Sequence, residues 1–269
     1  MIRNSLNQLA MALIPLAGLL LFQRVALADV TLQLVGTNQG FNMGGVYTSP
    51  YTINVSDGAS TVSTLALACD DFTTEIYYNK PWTATLYTLA DVTATGPQKF
   101  INATNDVTYP TGTGTGTGNI HDGTTINYTI KRQYDAAAWL AEQLLTVPSI
   151  LTNSETAGYY SYAIWQIFDP KAWQGYGGNN LTAPQQDQVT YYMWEAFQQN
   201  SLGHVIYIYT PNPADASQEF IGIGASLNRR QQFETATVPE GSTVAFLAFD
   251  FLALPGIILL LRRRILRSA

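Results

Sequence analysis

Cys69 is the only cysteine in the 269-residue sequence and the residue best suited to covalent chemistry. It ends an apolar stretch and precedes Asp70 and Asp71. A reactive thiol needs a cationic neighbourhood that stabilises the thiolate, whereas adjacent carboxylates raise the pKa of a thiol by like-charge repulsion. We therefore expect Cys69 to be a small buried apolar residue, the usual state of a free cysteine.

Acidic residues follow this cysteine closely. Asp70, Asp71 and Glu75 would suit glycoside hydrolysis or Ca²⁺ binding if their carboxylates converged. Neighbouring strand residues point to opposite faces, so the sequence predicts solvated turn acids instead. The two histidines, His121 and His204, are far apart, and no zinc spacing or hydrolase motif is present. We expect no catalytic residues, no metal and no cofactor.

Aromatic residues are dense between positions 159 and 194, mostly at the spacing of a helix core. Packing explains most of these rings. Trp173 and Tyr176 differ because they lie on a predicted loop around residues 175–180, which are rich in Gly and Asn. Exposed aromatic rings beside polar groups can stack on sugars, so these two residues are candidate glycan-binding residues.

The first half of the chain has the pattern of short antiparallel strands. Alternating residues of high β-propensity, separated by Gly, Asp and Pro, predict strands at 30–35, 51–55, 61–69 and 82–89. Residues 111–118 repeat Thr-Gly four times, which predicts a flexible loop before a strand at 124–130.

Three helices interrupt the strand pattern. The first is predicted at 134–145 and ends before Val147-Pro148. The second starts with a capping box of Thr152 and Glu155, and the third with Thr182 and Gln185. Strands return at 205–209 and 219–223. The predicted fold class is α+β: a β-rich antiparallel ectodomain with a three-helix insert at about 133–203, plus a C-terminal transmembrane helix.

The surroundings of Cys69 resemble thioester domains of bacterial surface adhesins. The resemblance rests on a strand cysteine followed by acidic and aromatic residues, then Ala-Trp-Leu at 138–140 and Ala-Ile-Trp at 163–165 on successive helices. In that family the cysteine is crosslinked to a glutamine two residues before Ala-Ile-Trp. The bond is an internal acyl electrophile that reacts with amines and attaches the protein covalently.

The glutamine position of that family is occupied here by Ser161. Serine has no carboxamide from which ammonia can leave, so the family's bond cannot form there. Gln166 and Gln143 are possible substitutes, although Gln166 is about 140° around the helix from Ser161. The resemblance thus implies a thioester-domain-like scaffold without its reactive bond, with a Cys69–Gln166 thioester as the alternative.

Charge divides the chain into three parts. Residues 29–237 contain seven basic and 17 acidic side chains, a net charge of −10, whereas both end segments are apolar and carry +2. With 46% hydrophobic and 12% charged residues, the composition excludes a disordered tail, a coiled coil and a nucleic-acid binder. The acidic body also disfavours an acidic polymer as partner.

The N-terminal segment, 1–28, has the pattern of a secretory signal peptide. Arg3 precedes an apolar run, and Ala26 and Ala28 match the A-x-A cleavage pattern. Near the other end, 244–261 is an 18-residue apolar run, just long enough for a hydrocarbon core of about 30 Å. Arginines follow it, so the positive-inside rule predicts an anchor with its C-terminus in the cytoplasm.

The C-terminal segment, 238–269, resembles the PEP-CTERM sorting tail. Its parts are a short motif, an apolar helix and a basic cluster, here formed by Val238, Pro239, Glu240, Arg262, Arg263 and Arg264. The family's usual Pro-Glu-Pro is Pro239-Glu240-Gly241 in this chain, and glycine does not fix φ as proline does. The resemblance implies processing by an exosortase in the inner membrane, and an exopolysaccharide matrix outside it.

These features predict a signal peptide at 1–28, an ectodomain at 29–228, a linker at 229–237 and the sorting tail. The predicted protein is exported, anchored in the inner membrane and then moved to the cell surface or extracellular matrix. Its expected role is structural or adhesive, with an exosortase, exopolysaccharide or other surface proteins as partners. A covalent thioester adhesin and a glycan-active enzyme are the alternatives.

Overall fold

The computed structural model describes residues 28–37, 40–58, 62–102, 106–110 and 123–224. The predicted signal peptide, apart from Ala28, lies outside these residues, as do the Thr-Gly repeat, the linker at 229–237 and the sorting tail. Within the described part of the chain, no helix combines the length and apolar character needed to cross a membrane.

Six antiparallel strands close into a barrel. Around the barrel they are β1 (Ala28–Thr37), β4 (Tyr51–Ser56), β5 (Val62–Cys69), β10 (Phe220–Gly224), β9 (Val205–Pro211) and β6 (Pro81–Thr88), which pairs back with β1. Closure leaves none of these strands as an edge. Two small hairpins complete the strands: β2 (Asn42–Met43) with β3 (Val46–Tyr47), and β7 (Asp106–Thr108) with β8 (Thr125–Asn127).

Side-chain alternation explains the barrel core. On β1 and β4 every second residue points inward, which buries Leu32 and Ile53 completely. Phe220 from β10 fills the same interior and contacts Tyr51 edge-on, with ring centroids 5.7 Å apart. The four strands predicted in the first half of the sequence are confirmed as β1, β4, β5 and β6.

Three long helices pack together beside β5 and β10. They are α1 (Ile130–Thr146), α3 (Ser154–Phe168) and α4 (Ala183–Gln198), with the short α2 (Pro148–Leu151) between the first two. Their buried faces form a second core with Ala68 and Ile221 of the barrel wall. The described residues thus form a β-rich antiparallel domain with a helical insert, as predicted.

Helix starts differ from the prediction in two places. The strand predicted at 124–130 is shorter because Thr129 caps α1, its hydroxyl accepting a hydrogen bond from the Arg132 backbone N–H at 3.3 Å. The predicted Thr152 capping box is wrong, since Asn153 is the N-cap of α3. The capping box of Thr182 and Gln185 at α4 is confirmed.

Candidate functional site

Cys69 is the last residue of β5 and is fully buried, as the sequence predicted. Its Sγ donates to the backbone oxygen of Asp71 at 3.2 Å and accepts from the backbone N–H of Asp71 at 3.4 Å. Burial raises the pKa of the thiol well above its ordinary value, and Asp71 and Asp70 raise it further, while the Trp165 indole partly opposes them. The thiol is therefore protonated and a poor nucleophile at neutral pH.

Ser161 occupies the position that the glutamine has in thioester domains. It is connected to Cys69 through one intermediate residue. The link is Ser49, whose backbone N–H donates to Ser161 Oγ at 3.0 Å and whose hydroxyl accepts from the Cys69 backbone N–H at 3.0 Å. Ser161 Oγ itself donates to the Ala157 carbonyl at 2.9 Å. One hydrogen-bonded chain of three buried residues thus links β5, the segment between β3 and β4, and α3, and Ser161 is its member on the helix.

Gln166, the candidate thioester partner, is bonded elsewhere. Its amide nitrogen donates to the backbone oxygens of Thr108 and Pro170 at 2.8 and 2.9 Å, and its oxygen accepts from the Trp173 backbone N–H at 3.2 Å. These bonds fasten β7 and the loop after α3 to the helix. Together they occupy both ends of the carboxamide, and none of them involves Cys69.

Asp70 and Asp71 are both completely buried, so the prediction of solvated turn acids is wrong for these two residues, whereas Glu75 is exposed. Asp70 faces Glu219, and no other described group bonds its carboxyl oxygens. Glu219 accepts hydrogen bonds from the Tyr134 and Thr210 hydroxyls and, at 2.9 Å, from the Lys99 backbone N–H. We call Asp70 and Glu219 the acid pair.

The acid pair shares one proton. Burial raises the pKa of Asp70 well above its ordinary range, and the negative charge of Glu219 raises it further. Burial also raises the pKa of Glu219, but the hydrogen bonds that it accepts from Thr210, Tyr134 and the Lys99 backbone N–H oppose this. Two adjacent carboxylates in a low-dielectric interior cannot both ionise easily, and the hydrogen bonds that Glu219 accepts favour the negative charge on Glu219 and the proton on Asp70.

Asp71 organises the turn that follows β5. Its Oδ1 accepts from the Thr73 backbone N–H and hydroxyl, both at 3.0 Å, and from the Thr74 backbone N–H at 3.2 Å. Its Oδ2 is paired with the Lys99 ammonium, which also donates to Thr74 Oγ1 and to the Ser217 carbonyl, both at 2.8 Å. The pair has 12% and 0% of its side chains exposed and fixes the loop between β5 and β6.

That loop forms one wall of a cleft of about 790 Å³. The hairpin of β2 and β3 and the loop at Tyr176 form the other walls, and Phe72 and Trp165, with ring centroids 5.3 Å apart, lie at its base. Four of the lining residues are exposed tyrosines: Tyr47 (51%), Tyr77 (55%), Tyr78 (49%) and Tyr176 (61%). We call this site the tyrosine cleft.

A tight turn holds Tyr176 against the hairpin. The Tyr176 backbone N–H donates to the Gly44 carbonyl at 3.0 Å. Gly175 precedes it with φ of 63°, and a Cβ there would collide with the backbone oxygens of Gly44 and Asn179. Only glycine satisfies both the backbone angle and the close approach.

The charged residues that line the tyrosine cleft are all acidic: Asp71, Glu75 and Asp169. Asp71 is paired with Lys99, whereas, among the described residues, Glu75 accepts from the Tyr77 hydroxyl at 2.7 Å and Asp169 from the Lys171 backbone N–H at 2.9 Å, and neither has an ion-pair partner. Among the lining residues that belong to the described part of the chain there is no Lys, Arg or His. Lys80 lies beside one of the lining rings, with its Nζ 4.8 Å from the centroid of the Tyr77 ring.

Of the four exposed tyrosines in the cleft, one was predicted from the sequence as a binding residue. Tyr176 lies in the cleft, but Trp173 is half-buried against the helical core and does not line it. Tyr47, Tyr77 and Tyr78 were not identified, although the adjacent tyrosines 77 and 78 in a predicted turn were a visible signal. In residues 28–37, 40–58, 62–102, 106–110 and 123–224, no three His, Cys, Asp or Glu side chains could together hold a metal ion.

Comparisons with known proteins give structural similarity only. No family model matches the sequence, and no curated protein does. Among solved structures, the chain is similar to the N-terminal thioester domain of a surface protein from Clostridium perfringens, at 10% identity and a TM-score of 0.41, covering 72% of this chain and 97% of that one.

Two Streptococcus pyogenes structures are also similar. One is the N-terminal thioester domain of the fibronectin-binding protein SfbI, at 8% identity, a TM-score of 0.37 and coverage of 76% of this chain and 98% of that one. The other is the N-terminal domain of the pilus tip adhesin Cpa, at 8% identity, a TM-score of 0.38 and coverage of 75% and 95%.

Proposed function

We propose that the chain is an exported bacterial surface or matrix protein that acts by binding, with the tyrosine cleft as its binding site. The observation that carries this is the grouping of four exposed tyrosines around one cleft of about 790 Å³. Tyrosine offers a large, rigid, amphipathic contact surface at low entropic cost. Clefts of this volume are within the usual range for ligand sites.

A glycan is the ligand class that the cleft fits best. Sugar rings present C–H faces that stack on tyrosine, and hydroxyls that bond to neighbouring polar groups. The lining supplies such groups in Asn42, Thr37 and Gln218, and the Gln218 Oε1 is buried without a hydrogen-bond partner. Exopolysaccharide, the partner implied by the sorting-tail resemblance, would provide such a ligand.

We propose binding without hydrolysis, and the positions of the buried acids support this. Glycoside hydrolysis needs two carboxyl groups at the bond to be cleaved, one of them an acid with a raised pKa. The groups with strongly raised pKa values, Asp70 and Glu219, are completely buried and do not line the cleft. Asp71 does line it, but its carboxylate is held by Lys99 and by its own turn.

Replacing Tyr176 or Tyr77 with alanine tests this site. Because each ring contributes apolar contact and stacking, we expect each change to weaken binding of the full chain to its best ligand, from a panel of matrix polysaccharides, about tenfold. Tyr159→Ala is the matched control. The Tyr159 hydroxyl donates a hydrogen bond to Glu155, as the Tyr77 hydroxyl does to Glu75, but Tyr159 lies outside the cleft. Unchanged binding by the cleft variants, or no binding by the wild type, would refute the proposal.

The location of the protein is part of the same proposal. We infer that the segment 1–28 directs export, that the apolar segment 244–261 anchors the chain in the inner membrane, and that an exosortase then acts near Val238, Pro239 and Glu240. Cell-surface or matrix deposition would follow. Fractionation of cells with and without the exosortase tests this order, because loss of the enzyme should retain the protein in the membrane.

The mass of the mature protein tests both the processing and the thioester alternative. We expect an N-terminus at Asp29, and a Cys69 thiol that alkylating agents reach only after unfolding, because the residue is buried and Ser161 cannot form the bond. A thioester would make the intact protein lighter by one ammonia, and Cys69→Ala would restore that mass. Detection of this loss would establish a covalent adhesin and contradict the free-thiol assignment.

A further inference from the structure

The charge of the tyrosine cleft restricts the chemical class of the ligand more than the shape of the cleft does. Of the three acids in the lining, Asp71 is neutralised by Lys99, which leaves Glu75 and Asp169 without a basic partner in the lining. The soluble part of the chain, residues 29–237, carries −10 overall. Long-range and local fields thus act in the same direction, attracting cations and repelling uronate or phosphate polymers.

The tyrosine rings themselves favour a cation. An ammonium group over the face of a tyrosine is attracted by the ring quadrupole. Lys80 shows this contact within the molecule, with its Nζ 4.8 Å from the Tyr77 ring centroid. Three further exposed tyrosine rings line the cleft, and a ligand ammonium could occupy the same kind of position over them.

Resting on the proposed function, we propose that the ligand of the tyrosine cleft is a glycan with free amino groups, a polymer of 2-amino-2-deoxy sugars. Its rings stack on the tyrosines and its hydroxyls bond to polar groups of the lining, as in any glycan. Its protonated amines pair with the Glu75 and Asp169 carboxylates. A lysine-rich peptide would satisfy the charge but would not supply sugar faces for four rings.

The test compares oligomers of equal length. Binding of the full chain to a tetramer of glucosamine, a tetramer of N-acetylglucosamine and a tetramer of glucose is measured by calorimetry, below neutral pH where the amines are protonated. We expect the glucosamine oligomer to bind at least tenfold more tightly than the other two. Added salt should reduce this preference, because it screens partly exposed charges.

Removing the two cleft charges isolates their role. In the double variant Glu75→Gln/Asp169→Asn the preference for the glucosamine oligomer should disappear, while binding of the neutral oligomers is retained. Glu155→Gln is the matched control, since that exposed glutamate also accepts from a tyrosine hydroxyl but lies outside the cleft. An unchanged thermal midpoint of each variant establishes that the fold is intact.

The outcomes separate the two proposals. Equal affinity for all three sugars, or a preference unaffected by the double variant, overturns the amino-sugar assignment and leaves the glycan-binding function standing. Tighter binding of tetralysine than of the glucosamine oligomer overturns it as well, and identifies a peptide ligand. Failure of every sugar to bind removes the proposed function itself.

Discussion

Replacing Lys99 with methionine is expected to lower the free energy of unfolding by about 3–5 kcal/mol. The substitution leaves the Asp71 carboxylate, whose side chain is completely buried, without its counter-charge. It also removes the hydrogen bonds from the ammonium to Thr74 and to the Ser217 carbonyl. Urea unfolding at neutral pH measures the loss directly.

A double variant separates the lost charge from lost packing. Lys99→Met/Asp71→Asn removes both charges while retaining an amide oxygen for the Thr73 and Thr74 bonds. We expect it to be clearly more stable than Lys99→Met alone, because an uncompensated buried charge costs more than an absent pair. If the two variants unfold at the same urea concentration, the ion pair is not what stabilises this turn.

This ion pair also shows why local reading of the sequence failed at Asp70 and Asp71. Acidic residues next to aromatic ones after a strand are typical of an exposed turn. Their burial depends on Lys99 and Glu219, which are distant along the chain and are brought in by a loop and by β10. The sequence pattern contains no information on partners that only the closed barrel brings together.

Strand positions were predictable for the opposite reason. Alternation of buried and exposed residues is a local property, and it located β1, β4, β5 and β6 to within a few residues. Closure of the barrel was not predictable, since it requires β6 to pair with β9, and β5 with β10, across the whole helical insert. The start of α1 was displaced because Thr129 and Ile130 have strand propensity, whereas Thr129 serves as a cap.

The tyrosine cleft was found only in part because three separate segments form it. Tyr176 was identified from its loop composition, whereas Tyr47 lies on a hairpin strand of two residues, too short to give a pattern. Trp173 has the same sequence context as Tyr176 but packs against the helical core. Exposure of a ring on a loop depends on what packs behind it, which spacing alone does not show.

Replacing Asp70 with asparagine should stabilise the protein at neutral pH and leave it nearly unchanged near pH 4. In the unfolded chain the Asp70 carboxyl group ionises with a pKa near 3.8, whereas in the fold burial and the charge of Glu219 raise that pKa strongly. The folded state thus holds a proton that the unfolded state releases. Stability from this group is present below the unfolded pKa and is lost as the pH rises toward the folded pKa.

The expected gain follows from this linkage. Each pH unit between the two pKa values costs the wild type about 1.4 kcal/mol, so the variant should be more stable at pH 7, and its advantage should grow with pH up to the folded pKa. The asparagine side chain has nearly the shape of a protonated carboxyl group and carries no charge beside Glu219, so the packing of the buried site is kept. Burial raises the pKa of Glu219 as well. The contribution of Glu219 to the pH dependence of stability therefore has the same sign in the wild type and in Asp70→Asn.

Urea unfolding of both proteins at pH 4, 5.5 and 7 measures the difference. As the pH rises from 4 to 5.5 and then to 7, the wild type should become progressively less stable than Asp70→Asn. At pH 4 the two unfolding curves should nearly coincide. Asp106→Asn is the control, since that exposed carboxylate accepts only from the Asn127 side chain and should leave the pH profile unaltered. If Asp70→Asn destabilises the protein equally at all three pH values, then Asp70 is ionised in the fold, and the acid pair does not share a proton.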